Sequence, residues 1–236
     1  MAQLFVGSEE HPMSKPDDVV EALGKGGAHW REGRSAFEAA HSWFVAGGLP
    51  ASIRNLLKTD PAFREPVVLK AIFEKKTKLD SYGRESQTDV VAYVETRSGL
   101  AVVGVEAKVD ETFGPLVHEW NNYTSGKLRR LAGLLDMLKL RSGLVSTLRY
   151  QLLHRTAATL IEAKEAGAHE AALVVQSFDK RRAGFFDFVA FADAFGVPIA
   201  EVGRLSQPKK VGDVAIRLGW TENHLHSAKR IADGTS

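Results

Sequence analysis

The chain has 236 residues, of which 44% are hydrophobic and 25% charged, a composition typical of a globular protein and not of a disordered or fibrous one. It contains no cysteine, which excludes disulfide scaffolds, zinc–thiolate sites and thiol nucleophiles. The formal net charge is only +2, so any binding of nucleic acid must depend on a local surface and not on the field of the whole protein.

Targeting and membrane signals are missing from the sequence. The N-terminal residues lack the basic and apolar regions of a signal peptide. No later segment approaches the ~18 consecutive apolar residues that a membrane-spanning helix requires. We therefore expect a cytoplasmic protein that does not enter a membrane.

Two helices are predicted near the N-terminus. Residues 16–23 predict a short helix, because Pro16 suits a first turn and the acidic residues that follow favour the positive end of the helix dipole. The run Ser35-Ala36-Phe37-Glu38 is typical of a capping box and predicts a helix that extends to about Ala46. Glu38 is then either the cap partner of this helix or an acidic residue of a site.

β-Rich runs occupy the middle of the chain. Val67–Phe73 predicts a buried strand, after which the charged residues 74–78 predict a connecting segment. Two longer runs, Asp89–Thr96 and Leu100–Val109, are separated only by Arg97-Ser98-Gly99 and predict a hairpin.

The second half of the chain is mostly helical. Its predicted elements are helices over 127–140, 148–166 and 185–195, a buried strand over 171–175 and an edge strand over 214–220. Residues 221–236 are expected to form a polar tail or a loosely docked helix. The order of elements indicates an α/β fold with a mixed central β-sheet flanked by α-helices.

The predicted hairpin brings charged residues together. A two-residue turn at Ser98-Gly99 would place Asp89 opposite Lys108, with Glu106 on the same side. Two carboxylates and an ammonium at the end of an apolar hairpin are costly to bury unless they pair or meet a cation. Either Mg²⁺ binds Asp89 and Glu106, with Lys108 positioning water or stabilising phosphate charge, or the hairpin end is exposed and carries a cross-strand ion pair.

The spacing of these residues resembles a known nuclease motif. Asp89, sixteen intervening residues and Glu106-Ala107-Lys108 are similar to the motif of the PD-(D/E)XK nuclease superfamily, although Thr88 stands in place of its proline. The similarity extends to an uncharacterised bacterial branch of that superfamily through His29–Ala36, Ser86–Asp89, Val105–Glu111 and Leu148–Arg155. The resemblance implies a restriction-endonuclease-like core and a Mg²⁺ or Mn²⁺ cofactor bound by Asp89 and Glu106, with Lys108 as the motif lysine.

The resemblance also implies further site residues. A helix after the hairpin often contributes a glutamine or a basic residue, and Gln151 and Arg155, which share one helical face, match that element. The alternative is that both residues solvate a surface helix. An acidic residue from the first helix or strand is also common, which leaves Glu38 and Glu74 as weaker candidates.

Local basic clusters could follow a phosphate backbone, although such clusters are often just charged surface. They are Lys75, Lys76 and Lys78; Lys127, Arg129 and Arg130; and Lys180, Arg181 and Arg182. The first and third flank the strands of the predicted site, which favours DNA as the partner.

The sequence as a whole predicts an N-terminal segment over 1–28 packed on the core, a PD-(D/E)XK-like domain over 29–200, and a C-terminal extension with a polar tail over 201–236. The expected function is Mg²⁺-dependent phosphodiester hydrolysis of DNA, in restriction, repair or defence, and a homodimer would explain cleavage of both strands. The main alternative is a catalytically inactive relative that binds nucleic acid or a protein. An immunity-type or purely structural protein is a third hypothesis.

Overall fold

An eight-stranded mixed sheet forms the centre of the protein, which the computed structural model describes over residues 2–23, 27 and 30–226. The strands are β1 (Gln3–Val6), β2 (His11–Pro12), β3 (Val67–Thr77), β4 (Ser86–Thr96), β5 (Gly99–Lys108), β6 (Glu170–Ser177), β7 (Lys209–Val211) and β8 (Val214–Glu222). Their order across the sheet is β2-β1-β3-β4-β5-β6-β8-β7. The predicted mixed α/β architecture is confirmed.

Antiparallel and parallel pairing meet at the centre of the sheet. β3, β4 and β5 are antiparallel neighbours, whereas β6 lies parallel to both β5 and β8. β5 and β6 are almost entirely buried, because helices cover both faces of the sheet. This explains why their sequences are continuous apolar runs.

The helices are divided between the two faces. They are α1 (Ser35–Val45), α2 (Ala51–Leu57), α3 (Val117–Trp120), α4 (Ser125–Leu138), α5 (Tyr150–Glu165) and α6 (Phe185–Phe195), with 3-10 turns at Pro16–Ala22, Pro61–Phe63 and Ser142–Leu144. α4, α5 and α6 contribute to the apolar core on one face, and α1 and α2 to the core on the other. None of the helices within the described residues is long and apolar enough to cross a membrane.

The hairpin register differs from the prediction. Thr96 pairs with Gly99 and Val90 with Val105, so the turn is Arg97-Ser98 and not Ser98-Gly99. The turn closes early because the Thr96 hydroxyl accepts from the Ser98 N–H and donates to the Gly99 carbonyl. Continuing this register places Asp89 opposite Glu106 instead of Lys108, and a shift by two residues leaves every side chain on its predicted face.

The predicted end of β3 and the predicted capping box were wrong. β3 continues through Thr77, because Lys75 and Lys76 pair with Thr88 and Gln87 of β4 and the charged segment is thus part of the ladder. Glu38 is not the partner of Ser35: its carboxylate accepts from the Gly33 N–H at 2.8 Å, so the expected capping box does not form.

β8 lies inside the sheet, with β7 as its outer neighbour. The predicted edge position of this strand is therefore wrong, and the sequence pattern does not indicate β7, which is only three residues long. α2 and the short strands β1 and β2 were also not predicted.

Residues 28–29, at the predicted domain boundary, and 227–236, in the predicted tail, lie outside the described residues. The limits 1–28, 29–200 and 201–236 remain predictions.

A glycine of β5 sets the distance between α5 and the sheet. A Cβ atom at Gly104 would lie 2.1 Å from the Thr159 hydroxyl oxygen of α5. That hydroxyl is already bonded to the Arg155 carbonyl at 2.9 Å and therefore cannot easily rotate away. α5 consequently lies directly on β5, and its N-terminal half reaches the end of the hairpin.

Gly104→Ala should therefore destabilise the protein by about 1–3 kcal/mol, because the new methyl group overpacks the contact between α5 and β5. The matched control is Gly133→Ala in α4, where a Cβ meets no atom within 4 Å. This control should be neutral or raise the free energy of unfolding by up to about 1 kcal/mol, through helix propensity. Urea unfolding of both variants measures the difference, and equal stability would contradict the close approach.

Candidate active site

The candidate site lies where β4 and β5 separate. Their ladder ends at Val90 and Val105, whereas β5 continues beside β6 as far as Lys108. Beyond this last pair, the Asp89 carboxylate replaces the backbone of β4 as a hydrogen-bond partner of β5 and accepts from the Ala107 N–H at 2.7 Å. Asp89 is thereby held at the open end of the hairpin while part of its surface remains accessible to solvent.

Glu106 is the centre of a buried polar network. Its Oε1 accepts from Lys108 Nζ at 2.8 Å and from Gln151 Nε2 at 2.7 Å, and its Oε2 accepts from Arg155 Nε at 2.5 Å. Lys108 Nζ also donates to Gln151 Oε1 at 3.1 Å. Two residues of β5 and two of α5 thus form one hydrogen-bonded unit.

The charges of this network determine the ionisation of Glu106. Burial by itself would raise its pKa, since only 2% of the residue is exposed. The adjacent Arg155 and Lys108 outweigh burial and lower the pKa of Glu106 to about 2. Glu106 is therefore an anion throughout the physiological pH range.

Arg155 connects this network to the start of β4. Its Nη1 donates to the Ser86 hydroxyl at 3.0 Å, and that hydroxyl lies 2.8 Å from His154 Nδ1. Burial and the charge of Arg155 lower the pKa of His154 well below its usual value, so the imidazole is neutral. A neutral histidine bonded to a serine helps to hold Arg155 in place without adding a further charge.

Glu74 is a third carboxylate of the site and is held in an unusual backbone conformation. It is buried within β3 at a φ of 54°, in the left-handed region that non-glycine residues rarely adopt. Its Oε2 accepts from Gln87 Nε2 at 2.7 Å. Backbone strain of this kind persists only where the surrounding structure enforces it, and it is often associated with function.

Burial and, after it, repulsion between carboxylates raise the pKa values of Glu74 and Asp89. Burial and the charge of Asp89 raise the pKa of Glu74 to about 8. Burial and the charge of Glu106 raise the pKa of Asp89 to about 7. Three carboxylates face only two cations, Lys108 and Arg155, so the fully ionised site has an excess of negative charge.

Most of the predicted site residues are together in the structure. Asp89, Glu106, Lys108, Gln151 and Arg155 lie at this end of the hairpin, and the charge of Asp89 acts on the weaker candidate Glu74. Glu38 is not brought to the network. It belongs to α1, on the opposite face of the sheet, and its carboxylate accepts from the backbone N–H groups of Gly33 and His226.

Sequence analysis did not assign roles to Ser86, Gln87 or His154. The signal for the first two was the polar run Ser86-Gln87-Thr88-Asp89 at the start of a strand, where each side chain needs a partner if it is buried. In the same run, the buried Thr88 hydroxyl has no hydrogen-bond partner among the described residues.

The oxygen-rich donor set suits a hard divalent cation such as Mg²⁺ or Mn²⁺. As the side chains are arranged, the described residues contain no cluster of three or more histidine, aspartate or glutamate residues that could hold a metal ion. Asp89 and Glu74 each keep one carboxylate oxygen that accepts no hydrogen bond from the described residues. Glu106 could join them only if its Oε1 gave up Lys108 or Gln151.

The chain belongs to a protein family described as a domain of unknown function, DUF6946, which matches residues 12–225. This match includes every residue of the candidate site. Neither a curated protein nor a solved structure matches the chain.

The raised pKa values predict that the metal-free protein loses stability as the pH rises. An acid whose pKa is higher in the folded state binds its proton more tightly there. The protein therefore becomes easier to unfold as the pH rises from the pKa of the unfolded acid to its pKa in the folded protein, which is about 7 for Asp89 and about 8 for Glu74. Between about pH 6.5 and 8 the free energy of unfolding should fall by roughly 1 kcal/mol per pH unit. Glu74→Gln should flatten this slope.

Urea unfolding in a chelating buffer at several pH values measures this slope. His154 is neutral in the folded protein but takes up protons near pH 6.5 when unfolded, so it adds a slope of opposite sign at the lower end of this range. The comparison of Glu74→Gln with the wild type cancels this contribution, because both proteins contain His154. Glu85→Gln is the matched control, since Glu85 is an exposed carboxylate near the same strand end. A wild-type slope that Glu74→Gln leaves unchanged would show that the pKa of Glu74 is not raised into this range.

Proposed function

We propose that this protein is a Mg²⁺- or Mn²⁺-dependent phosphodiesterase that hydrolyses DNA, with a restriction-endonuclease-like core of the PD-(D/E)XK type. The observation that carries the proposal is the convergence of Asp89, Glu106, Lys108 and Gln151 at the open end of the central hairpin. The spacing of these residues suggested the resemblance, and their contacts support it independently of spacing.

The order of the elements also supports the proposal. α1 precedes β3, the β4–β5 hairpin follows, and α5 then leads to β6, which pairs in parallel with β5. This is the helix, strand, hairpin, helix and strand order within which the sequence motif was recognised. The site residues come from β4, β5 and α5, the elements that meet at one end of the sheet.

Each residue has a role that follows from its surroundings. Asp89 and Glu106 supply carboxylate oxygens for the metal ion, and Glu74 is placed to support them electrostatically. The metal, when bound, supplies Lewis acidity to the phosphate and lowers the pKa of a bound water. Lys108, with its ammonium 2.8 Å from Glu106, positions the attacking water or stabilises phosphate charge.

Gln151 and Arg155 are positioning residues in this proposal. Gln151 forms hydrogen bonds with both Glu106 and Lys108, so it fixes the distance between the Glu106 carboxylate and the Lys108 ammonium. Arg155 holds the other oxygen of Glu106 and is itself held by Ser86. Arg155 thereby fixes the orientation of the Glu106 carboxylate, whose Oε1 would have to exchange Lys108 or Gln151 for the metal ion.

Electrostatics favours a cation at this position. Burial, and after it the negative charge of the neighbouring carboxylates, raises the pKa values of Glu74 and Asp89 despite the presence of Lys108 and Arg155. A divalent cation between the carboxylates would remove this repulsion and allow both acids to ionise at neutral pH. The binding energy of the metal would then appear as added stability of the folded protein.

The second candidate function is that of an inactive relative that binds nucleic acid or a protein without cleaving it. One observation favours it: both oxygens of Glu106 already accept hydrogen bonds from Lys108, Gln151 and Arg155. Such a network can stabilise a buried anion without a metal.

A cytoplasmic location and a homodimer also remain predictions.

Purified protein should cut plasmid or linear DNA with Mg²⁺ or Mn²⁺ and lose this activity in chelator. Asp89→Asn and Glu106→Gln should reduce cleavage at least ~100-fold by removing ligand charge, and Lys108→Met should retain metal binding but lose turnover. Glu162→Gln is the matched control. This buried carboxylate of α5 accepts from the Thr77 and Tyr93 hydroxyls and lies outside the network.

Nicking and linearisation on agarose gels measure this activity. If the folded wild-type protein cuts neither DNA nor RNA with either metal, the inactive-relative hypothesis replaces the proposal. If Glu162→Gln is as inactive as Asp89→Asn, the loss reflects the scaffold and not the site.

Metal binding should also be visible in thermal stability. Mg²⁺ should raise the melting temperature of the wild-type protein, because a ligand that binds only the folded state stabilises it. Asp89→Asn should leave the metal-free protein as stable as the wild type or slightly more stable, and should abolish the response to Mg²⁺. Loss of about 1–3 kcal/mol in Asp89→Asn, with no metal response in either protein, would indicate a purely structural aspartate.

A further inference from the structure

An exposed aromatic and basic surface lies next to the candidate site. It comprises Tyr82, Arg84, Tyr123, Lys127 and Arg129, and we refer to these five residues as the loop–helix patch. The first two belong to the loop between β3 and β4, and the others to the start of α4 and the residues before it. Tyr82 is 64% exposed and Tyr123 is 72% exposed, which is unusual for large aromatic side chains.

The loop that carries Tyr82 is held rigidly. Arg130 of α4 donates to both Asp80 oxygens, at 2.7 and 3.0 Å, and to the Arg84 carbonyl at 2.7 Å. Asp80 in turn accepts from the Tyr82 and Gly83 N–H groups. The exposure of Tyr82 is therefore a product of an ordered loop.

Basic groups lie close to aromatic rings in and beside the patch. The Arg129 guanidinium lies 4.5 Å from the centre of the Tyr82 ring, which remains 64% exposed. Lys127 lies 5.1 Å from the centre of the half-buried Trp120 ring, and its ammonium donates to the Trp120 carbonyl. The patch thus combines two exposed tyrosines with a cation held against one of them.

A chain of contacts connects the patch to the site. Trp120, which binds Lys127, stacks on Tyr150 at 3.7 Å, and the Tyr150 ring lies 5.0 Å from that of His154. His154 contacts Ser86, which is bonded to Arg155 of the Glu106 network. On the other side, Arg84 precedes Ser86 by two residues. A strand of nucleic acid on the patch would therefore lie beside the site.

We propose that the loop–helix patch binds single-stranded DNA, with bases stacked on Tyr82 and Tyr123 and the phosphate backbone on Arg84, Lys127 and Arg129. This inference rests on the proposed function, since the patch would deliver the strand to the phosphodiesterase site. Exposed rings favour a single strand because its bases have free faces, whereas the bases of a duplex are stacked on each other. Basic side chains alone would bind duplex and single strand through phosphates without this preference.

Fluorescence anisotropy with labelled oligonucleotides of one mixed sequence, as single strand and as duplex, tests the inference in a chelating buffer, where cleavage is suppressed. The single strand should bind more tightly than the duplex. Tyr82→Ala and Tyr123→Ala should each weaken binding of the single strand by about five- to a hundred-fold, as expected for loss of a stacked base. Both rings are exposed, and thermal melts should show that the variants remain folded.

Phe186→Ala is the matched control, because Phe186 is 86% exposed on α6, away from the patch. It should leave binding unchanged. Tighter binding of the duplex, no binding of either oligonucleotide, or equal losses in all three variants would overturn the inference.

Cleavage assays with Mg²⁺ separate this inference from the proposed function. Single-strand binding that depends on both tyrosines, without cleavage in Mg²⁺ or Mn²⁺, would support the patch and contradict the phosphodiesterase. If the wild-type protein cleaves DNA but Tyr82→Ala and Tyr123→Ala bind the single strand as tightly as the wild type, the result would support the phosphodiesterase and contradict the patch.

Discussion

The structure of the site depends on one buried anion, Glu106. A carboxylate in the middle of a sheet covered on both faces is very costly unless cations and hydrogen-bond donors surround it. Lys108 comes from the same strand, but the stronger constraint comes from Arg155, because α5 must lie close enough to β5 for its guanidinium to reach the carboxylate. Gly104 permits this approach by leaving room for Thr159.

The same anion accounts for the unusual features around it. Burial raises the pKa values of Asp89 and Glu74, and negative charge from the neighbouring carboxylates raises them further. Glu74 also has a left-handed backbone within a strand. Natural proteins tend to violate local rules of this kind at functional sites, where stability is given up for chemistry. These features mark the end of the hairpin as the candidate site, and the proposed metal ion would offset the negative charge of its carboxylates.

Position within the fold connects the site with the loop–helix patch. The hairpin opens at the same end of the sheet at which β3 turns into β4 and at which α5 begins. Arg130 braces the loop, and Trp120, Tyr150 and His154 pack between the patch and the buried network. A modest net charge of +2 is compatible with the proposed local binding surface, since attraction of phosphates would need only a few side chains and not the field of the whole molecule.

Much of the fold and part of the site could be predicted from the sequence, because the periodicity of apolar residues is a local property. It correctly indicated the hairpin, α4, α5, β6 and α6, and the polar interruptions at Asp89, Glu106 and Lys108 pointed to one place. The tertiary structure decided what depends on distant contacts. The turn at Arg97-Ser98 is a local choice, because the Thr96 hydroxyl bonds to residues only two and three positions away, but the alternation of apolar residues does not encode it. The packing of α5 on β5 made Arg155 the partner of Glu106, and Glu38 instead accepts from the distant His226 N–H. These contacts join segments far apart in the chain, which no local pattern encodes.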